Sequence, residues 1–369
     1  MQSCTKFSIN EFDTLETIIS NCDTQLPKIV GGNIPGAVII IIKSGEIYYN
    51  KAFGYKNIKN KDIMTTDTIF QAASIAKTIT ALGIMKLAED RQIEIDKPVE
   101  TYLTRWNIPD SEYRNEVTIR RLLNHSAGIS TGGYSGYPPE WGLPSIEQSL
   151  SGNRISKYWI YNNQRVKIIG KPGIKWDYSE AGYLILQLMI EEVVEKQYSD
   201  FMDNNIMKEM QMFHSSYSYN YNFDKYLAKP YNSLLFQMPN YLFTEKAAAG
   251  LYTTADDLAQ MIVEIMKCYH GYPNNLIINK ETLQIMFDRQ INIKNNQSMG
   301  LGFFITEIGN NRTVYGHRGT NKGWRACYEF SPETNDGIVI LTNGNNGYSL
   351  IIEPLVNSWR EYISNKNEP

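Results

Sequence analysis

Pro35-Gly36-Ala37-Val38-Ile39-Ile40-Ile41-Ile42-Lys43-Ser44-Gly45-Glu46-Ile47-Tyr48-Tyr49 is the stretch from which the fold can be read. Pro35-Gly36 punctuates its start, Ala37 to Ile42 has the β-branched composition of a strand, and Ser44-Gly45 turns the chain into Ile47-Tyr48-Tyr49. The segment therefore predicts a β-hairpin, and a hairpin needs further strands to be stable. Strand-like runs return only at the far end of the chain, at Gly302 to Thr306, Thr313 to Gly316, Trp324 to Phe330 and Gly337 to Leu341, the last followed by Thr342-Asn343-Gly344. The middle carries helical periodicity instead. The expected class is α+β: an antiparallel β-sheet flanked by terminal helices, with a large, mostly helical insertion. The expected division is one unit over 1–369, with an α/β lobe at approximately 1–70 and 290–369 and a mostly helical lobe at approximately 71–289. A last helix, about Tyr348 to Ile363, would pack on the sheet.

The 369 residues, 42% hydrophobic and 20% charged, suffice for a large core. A net charge of -3 gives no long-range attraction to nucleic acid or to an acidic membrane surface. The longest apolar runs, Ala37 to Ile42 and Tyr183 to Ile190, fall far short of the roughly 20 residues a membrane-spanning helix requires, so no transmembrane segment is expected in this chain. Met1-Gln2-Ser3-Cys4-Thr5-Lys6 lacks the charged and apolar regions of a secretory signal. On that reading the chain is cytoplasmic as it stands, or extracytoplasmic if a signal was removed. Cys4, Cys22, Cys268 and Cys327 are scattered without CxxC pairing and none of the four histidines stands in ligand spacing, so no metal is expected. The cysteines read as buried or surface thiols.

From Ser74 onward Ile75, Ile79, Leu82 and Met85 recur at helical spacing, and Glu89-Asp90-Arg91 ends the run. The segment Ala181 to Val194 is apolar nearly all round, as in a helix buried on several sides. Ser130 to Pro144 and Tyr217 to Asn240, rich in Tyr, Gly, Asn and Pro, read as elaborated loops. Three short motifs carry chemistry: Ser74-Ile75-Ala76-Lys77, Tyr178-Ser179-Glu180 and His317-Arg318-Gly319. Residues three apart on a helix share a face, so Lys77 can reach the Ser74 hydroxyl. A serine becomes a nucleophile when a base takes its proton, and a lysine serves once burial has lowered its pKa. The first helical turn leaves N–H groups free, which makes the Ser74 amide half of an oxyanion hole.

Serine and lysine at this spacing are common on helix surfaces; the second polar triplet and a third glycine-containing motif, in this order, give the pattern its meaning. The chain resembles the serine β-lactamase and penicillin-binding-protein superfamily, in the class C-like branch with D-alanyl-D-alanine carboxypeptidases, D-aminopeptidases and esterases. The resemblance runs from Pro35-Gly36 to Asn343-Gly344. It includes Leu122-Leu123-Asn124-His125-Ser126-Ala127-Gly128-Ile129, Pro172-Gly173, Trp176-Asp177-Tyr178-Ser179, Ala249-Gly250-Leu251-Tyr252-Thr253-Thr254-Ala255-Asp256-Asp257-Leu258 and Gly316-His317-Arg318-Gly319 with Gly323-Trp324.

The resemblance implies that Ser74 is acylated, that Lys77 and Tyr178 shuttle protons, and that His317-Arg318-Gly319 lines the strand on which substrate docks. It also implies that the Thr320 N–H is the second oxyanion donor. Tyr178 can act as a base only if nearby cations, Lys77 and His317, lower a pKa that is about 10 in water. Gly319 would let a substrate approach closely. The family triplet commonly ends in Asn or Ser, so Glu180 is a departure. Pointing inward it would raise the Lys77 pKa and pass base work to Tyr178, or pair with a substrate amine; pointing outward it is an ordinary first-turn acid. His125 is expected to pack in a structural loop. Arg318 would meet a substrate carboxylate or be solvated. The Tyr134, Tyr137, Trp141 cluster and the Tyr217, Tyr219, Tyr221, Tyr226, Tyr231 series would line a cleft or cover the core.

The function expected is a serine hydrolase with an acyl-serine intermediate, acting on amide bonds of D-amino-acid peptides or β-lactams. An esterase using the same residues and a catalytically silent binding module are the alternatives. The chemistry needs no cofactor, and the expected partner is a small-molecule or peptide substrate.

Overall fold

The computed structural model describes residues 14–152, 165–219 and 223–366. Cys4, Tyr221 and the segment Met1 to Lys6 lie outside them. Eleven strands occur among the described residues: β1 Gly36–Lys43, β2 Glu46–Asn57, β3 Asp62–Ile63, β4 Phe70–Ala73, β5 Leu251–Thr253, β6 Ile291–Lys294, β7 Gln297–Met299, β8 Phe304–Glu307, β9 Thr313–Asn321, β10 Trp324–Ser331 and β11 Asp336–Thr342. Nine of them form one antiparallel sheet in the order β3-β2-β1-β11-β10-β9-β8-β7-β6, and β4 and β5 pair separately. The partners of the early hairpin are thus the late strands, with Ile40 opposite Val339 across β1 and β11.

The unbroken apolar run of β1 has a simple cause. Val38, Ile40 and Ile42 enter a core with α2 Ala76–Glu89, α5 Glu180–Val194 and α8 Ala255–His270, while Ala37, Ile39 and Ile41 enter a second core under α1 Leu15–Ile29 and α10 Glu353–Asn365. A central strand covered on both faces has no polar side to show. Trp359 of α10 is fully buried in the second core, where truncation to alanine would cost about 3–5 kcal/mol. The remaining helices are short except α9 Lys280–Phe287: α3 Ile119–Leu123, α4 Ile146–Ser151, α6 Tyr198–Phe201 and α7 Lys246–Ala249. Among the described residues no helix is long and apolar enough to cross a membrane.

Several elements differ from the sequence reading, among them the small sheet of β4 and β5, short strands in or beside the stretch read as helical. The strand expected from Gly302 starts at Phe304, because Gly302 turns with φ +81° against Ala81 of α2. The helix expected from Tyr348 begins with a π-helical turn, Tyr348–Ile352, before α10. The edge hairpin β6–β7 escaped notice because Ile291-Asn292-Ile293-Lys294 is short and polar, half of it exposed.

Candidate active site

The site begins where β4 meets α2. Ala73 takes the left-handed conformation at φ +50°, costly for a residue with a Cβ, and this turns the chain sharply out of the buried strand at Ser74. Ser74 was expected to open the helix; it stands two residues ahead of it, since Ile75 is the cap and α2 starts at Ala76. The Lys77 N–H donates to the Ser74 carbonyl at 3.1 Å, which continues the helical turn backwards and keeps the two side chains on one face. Lys77 Nζ donates to Ser74 Oγ at 3.1 Å and to the carbonyl of Ala248, on α7, at 2.7 Å.

Lys77 is wholly buried, and that desolvation lowers its pKa from 10.5 to about 8. Glu180 opposes the shift: its Oε1 lies 3.6 Å from Lys77 Nζ. The carboxylate therefore points inward, but burial outweighs it and Lys77 is not locked in the charged form. Two contacts fix the orientation. The Ser179 side chain caps α5 by accepting the Gly182 N–H at 3.1 Å, so Glu180 is the first helical residue, and the Tyr134 N–H donates to Glu180 Oε2 at 2.6 Å. The Ser74 hydroxyl in turn faces Glu180 Oε1 at 3.5 Å.

Tyr178 stands over this pair, with Lys77 Nζ 4.9 Å from its ring centre and Ser74 among its neighbours. Its pKa is raised, not lowered, because complete burial and the neighbouring Glu180 charge both disfavour a phenolate. The second cation expected to depress it is absent, since burial pushes His317 from 6.5 down to about 3. His317 Nδ1 must donate to the Arg318 carbonyl 2.8 Å away, which leaves Nε2 as an acceptor. Behind Tyr178 lies the ring of His125, 4.2 Å from centre to centre. His125 is buried and neutral, and its Nδ1 accepts the Ser179 N–H at 3.1 Å, in keeping with the structural loop expected of it.

Strand β9 forms the opposite wall. Its pairing to β8 ends at Phe304–Gly316, while its pairing to β10 runs on to Asn321–Trp324. From His317 onward one edge of β9 is open among the described residues. The two-residue turn Lys322-Gly323 makes Asn321 and Trp324 a hydrogen-bonded pair. The antiparallel alternation then directs the N–H groups of Arg318 and Thr320 to the open edge. The glycine at 319 has a packing reason besides the one expected: a Cβ there would sit 2.1 Å from the Ala72 carbonyl oxygen, so close packing of β9 on β4 demands it. Arg318 points to the other sheet face, toward the Tyr348 hydroxyl and 3.7 Å from Glu329. A cavity of about 400 Å³ wraps this open edge and is lined by Ser74, Tyr178, Glu180, His317, Arg318 and Thr320, among others.

The aromatic clusters mostly cover the core. Tyr217 is buried, with its hydroxyl donating to the Ala76 carbonyl, and the buried Tyr231 accepts the Ile58 N–H. Tyr134 contributes its backbone rather than its ring. Sequence reasoning missed three contacts here: the Ala248 carbonyl, the Tyr134 N–H and the ring of His125 beneath Tyr178. The first two are backbone groups, which carry no sequence signal beyond the position of their loops. Cys22, Cys268 and Cys327 are buried free thiols. Among the described residues no cluster could hold a metal ion.

Residues 17–352 match the family described as Beta-lactamase. Protein flp of Staphylococcus aureus (strain MRSA252) is 25% identical over 324 residues, covering 86% of this chain and 61% of flp. PbpX of Bacillus subtilis (strain 168) is 25% identical over 315 residues, 84% of this chain and 71% of PbpX. The chain thus spans less than two thirds of flp. Among solved structures, the octameric penicillin-binding protein homologue from Pyrococcus abyssi superposes with a TM-score of 0.75 at 25% identity, over 93% of this chain and 77% of that one. A penicillin-binding protein from Bacillus halodurans gives a TM-score of 0.73 at 20% identity, over 93% and 98%.

Proposed function

Because the chain belongs to the β-lactamase family, we propose that it is a serine hydrolase that forms an acyl-Ser74 intermediate on amide bonds of D-amino-acid peptides or β-lactams. The observation that carries this reading is the 3.1 Å contact between Ser74 Oγ and a fully buried Lys77 whose pKa has fallen to about 8. At that value a usable fraction of Lys77 is neutral near physiological pH and can take the Ser74 proton as Oγ attacks a carbonyl carbon. The oxyanion that develops would lie between the N–H groups of Ser74 and Thr320.

Tyr178 takes the complementary part. Held as a neutral phenol against Ser74, it gives its proton to the departing nitrogen and regains one from Lys77. An amine leaves poorly without that proton, whereas an alkoxide or phenoxide leaves more readily, so a buried neutral donor at this place favours an amide or lactam over an ester.

The test compares wild type and Ser74→Ala on a chromogenic cephalosporin, a D-amino-acid anilide and a short-chain nitrophenyl ester. Ser74-dependent turnover of the cephalosporin or the anilide is expected. Activity confined to the ester would overturn the amide reading, and turnover of none of the three would overturn the hydrolase reading for these substrate classes.

A further inference from the structure

The Glu180 carboxylate makes three contacts in the site, one at Oε2 and two at Oε1. Glu180 Oε2 is tied to the Tyr134 N–H at 2.6 Å, which leaves Oε1 free to lie 3.6 Å from Lys77 Nζ and 3.5 Å from Ser74 Oγ. Ser74 Oγ and Oε1 stand at the outer limit of hydrogen-bond distance, with nothing between them and the cavity. The side chain is 11% exposed, and Glu180 lines the same cavity as Ser74 and Tyr178. It is therefore anchored by one oxygen and presents the other to the reacting atom, with open volume beside it.

We infer that Glu180 is a catalytic residue, the general base that activates water for hydrolysis of the acyl-Ser74 ester. This inference rests on the acyl-serine reading above. Once Oγ is esterified it has no proton to offer Oε1, and a water beside the acyl carbon takes over that hydrogen bond. The water oxygen forms a bond to the acyl carbon while its proton passes to Oε1. The carbon–Oγ bond then breaks, with its electron pair going to Oγ. Glu180 passes that proton to Lys77, left neutral by acylation, across the 3.6 Å contact, and Oγ takes a proton from the Lys77 ammonium so formed. The carboxylic acid leaves, and Ser74, Lys77 and Glu180 are restored without a further reagent.

The neighbouring groups fit this division of labour. Burial and the adjacent carboxylate keep Tyr178 a phenol, which suits a donor and not a base. Lys77 is needed as the acid that reprotonates Oγ, from which it is 3.1 Å away. His317 spends its Nδ1 proton on the Arg318 carbonyl and stands on the β9 wall.

The experiment follows the acyl-enzyme by intact mass and burst kinetics in wild type, Glu180→Gln, Glu180→Asp and Ser74→Ala, with a short-chain nitrophenyl ester and a chromogenic cephalosporin as probes. Glutamine keeps an acceptor for the Tyr134 N–H, and thermal unfolding checks that each variant folds. Glu180→Gln is expected to give a stoichiometric burst at close to the wild-type rate, then steady-state turnover slower by roughly a hundredfold or more, with the adduct accumulating on Ser74. Glu180→Asp is expected to recover part of that loss. An adduct that clears from Glu180→Gln at the wild-type rate would overturn the inference alone. So would a raised KM confined to free-amine substrates with an unchanged adduct lifetime, which would make Glu180 an amine-binding group. Wild type that behaves like Ser74→Ala would instead remove the acyl-serine reading and this inference with it.

Discussion

Lys77 Nζ donates to the Ala248 carbonyl at 2.7 Å, across 171 residues of sequence. That bond, made between α2 and α7, holds the amine beside Ser74 while the surrounding core strips it of water. The desolvation that makes Lys77 useful also makes it expensive to keep charged.

Lys77→Met should separate these two effects. Removing the buried ammonium lifts a desolvation cost of about 3 kcal/mol near neutral pH, while Glu180 and the Ala248 carbonyl lose their partner at a comparable cost. The variant should thus be close to wild type in stability. Acylation of Ser74 should fall by on the order of a hundredfold to ten-thousandfold. Urea unfolding and burst kinetics on the same samples decide it; a variant that loses stability and keeps its acylation rate would contradict the assignment.

The same shift gives a pH dependence with a definite sign. Lys77 has a folded-state pKa of about 8 against 10.5 unfolded. In that interval the unfolded chain holds a proton that the folded chain has lost, so stability from this group rises with pH from about 8 and is complete above 10.5. Its span is about 3 kcal/mol. The readout is the stability difference between wild type and Lys77→Met at about pH 7 and at about pH 10, which cancels other titrating groups. In wild type kcat/KM should also climb through about pH 8.

His317 acts at the acid end. Its folded-state pKa is about 3 against 6.5, so the unfolded chain binds the extra proton between those values and stability falls as pH drops through that window. His317→Gln should show a flatter stability profile there than wild type in urea titrations. An unchanged acid limb would show that His317 is not held neutral.

Gly319→Ala tests why the glycine is there. Its Cβ would meet a backbone oxygen, Ala72 O, at 2.1 Å, so β9 and β4 must move apart. The expected cost is about 1–3 kcal/mol of stability, with slower acylation because Ser74 follows directly on β4. A variant with unchanged melting temperature and a raised KM would favour steric exclusion of substrate instead.

His125→Ala removes the ring lying 4.2 Å from Tyr178 and the acceptor of the Ser179 N–H. A buried cavity and an unsatisfied donor together should cost about 2–4 kcal/mol. Amide turnover should drop more than ester turnover, since Tyr178 loses its support and only the amine leaving group depends fully on its proton. Parallel melting curves and substrate comparison check both parts.

Much of this architecture was legible because it rests on local rules. The β-branched run before Ser44-Gly45 read as a strand, and the partners such a hairpin needs stood out only in the late strand-like runs. The spacing of Ser74 and Lys77 placed them on one helical face, the apolar run from Ala181 to Val194 marked the buried helix, and the order of the three motifs pointed to the family. What the sequence left open were quantities set by segments far apart in the chain. Whether Glu180 turned inward was decided by the Tyr134 N–H, 46 residues away. Whether Lys77 or Tyr178 lost its proton more easily was decided by desolvation, which disfavours the charged form of either and so lowers one pKa and raises the other. That a Cβ at Gly319 would meet Ala72 shows only in the packed sheet, and the side on which Arg318 stands followed from the alternation of a strand whose open edge only the packed sheet defines. Periodicity and caps fix what each segment becomes; distance and burial between segments exist only once the chain is folded.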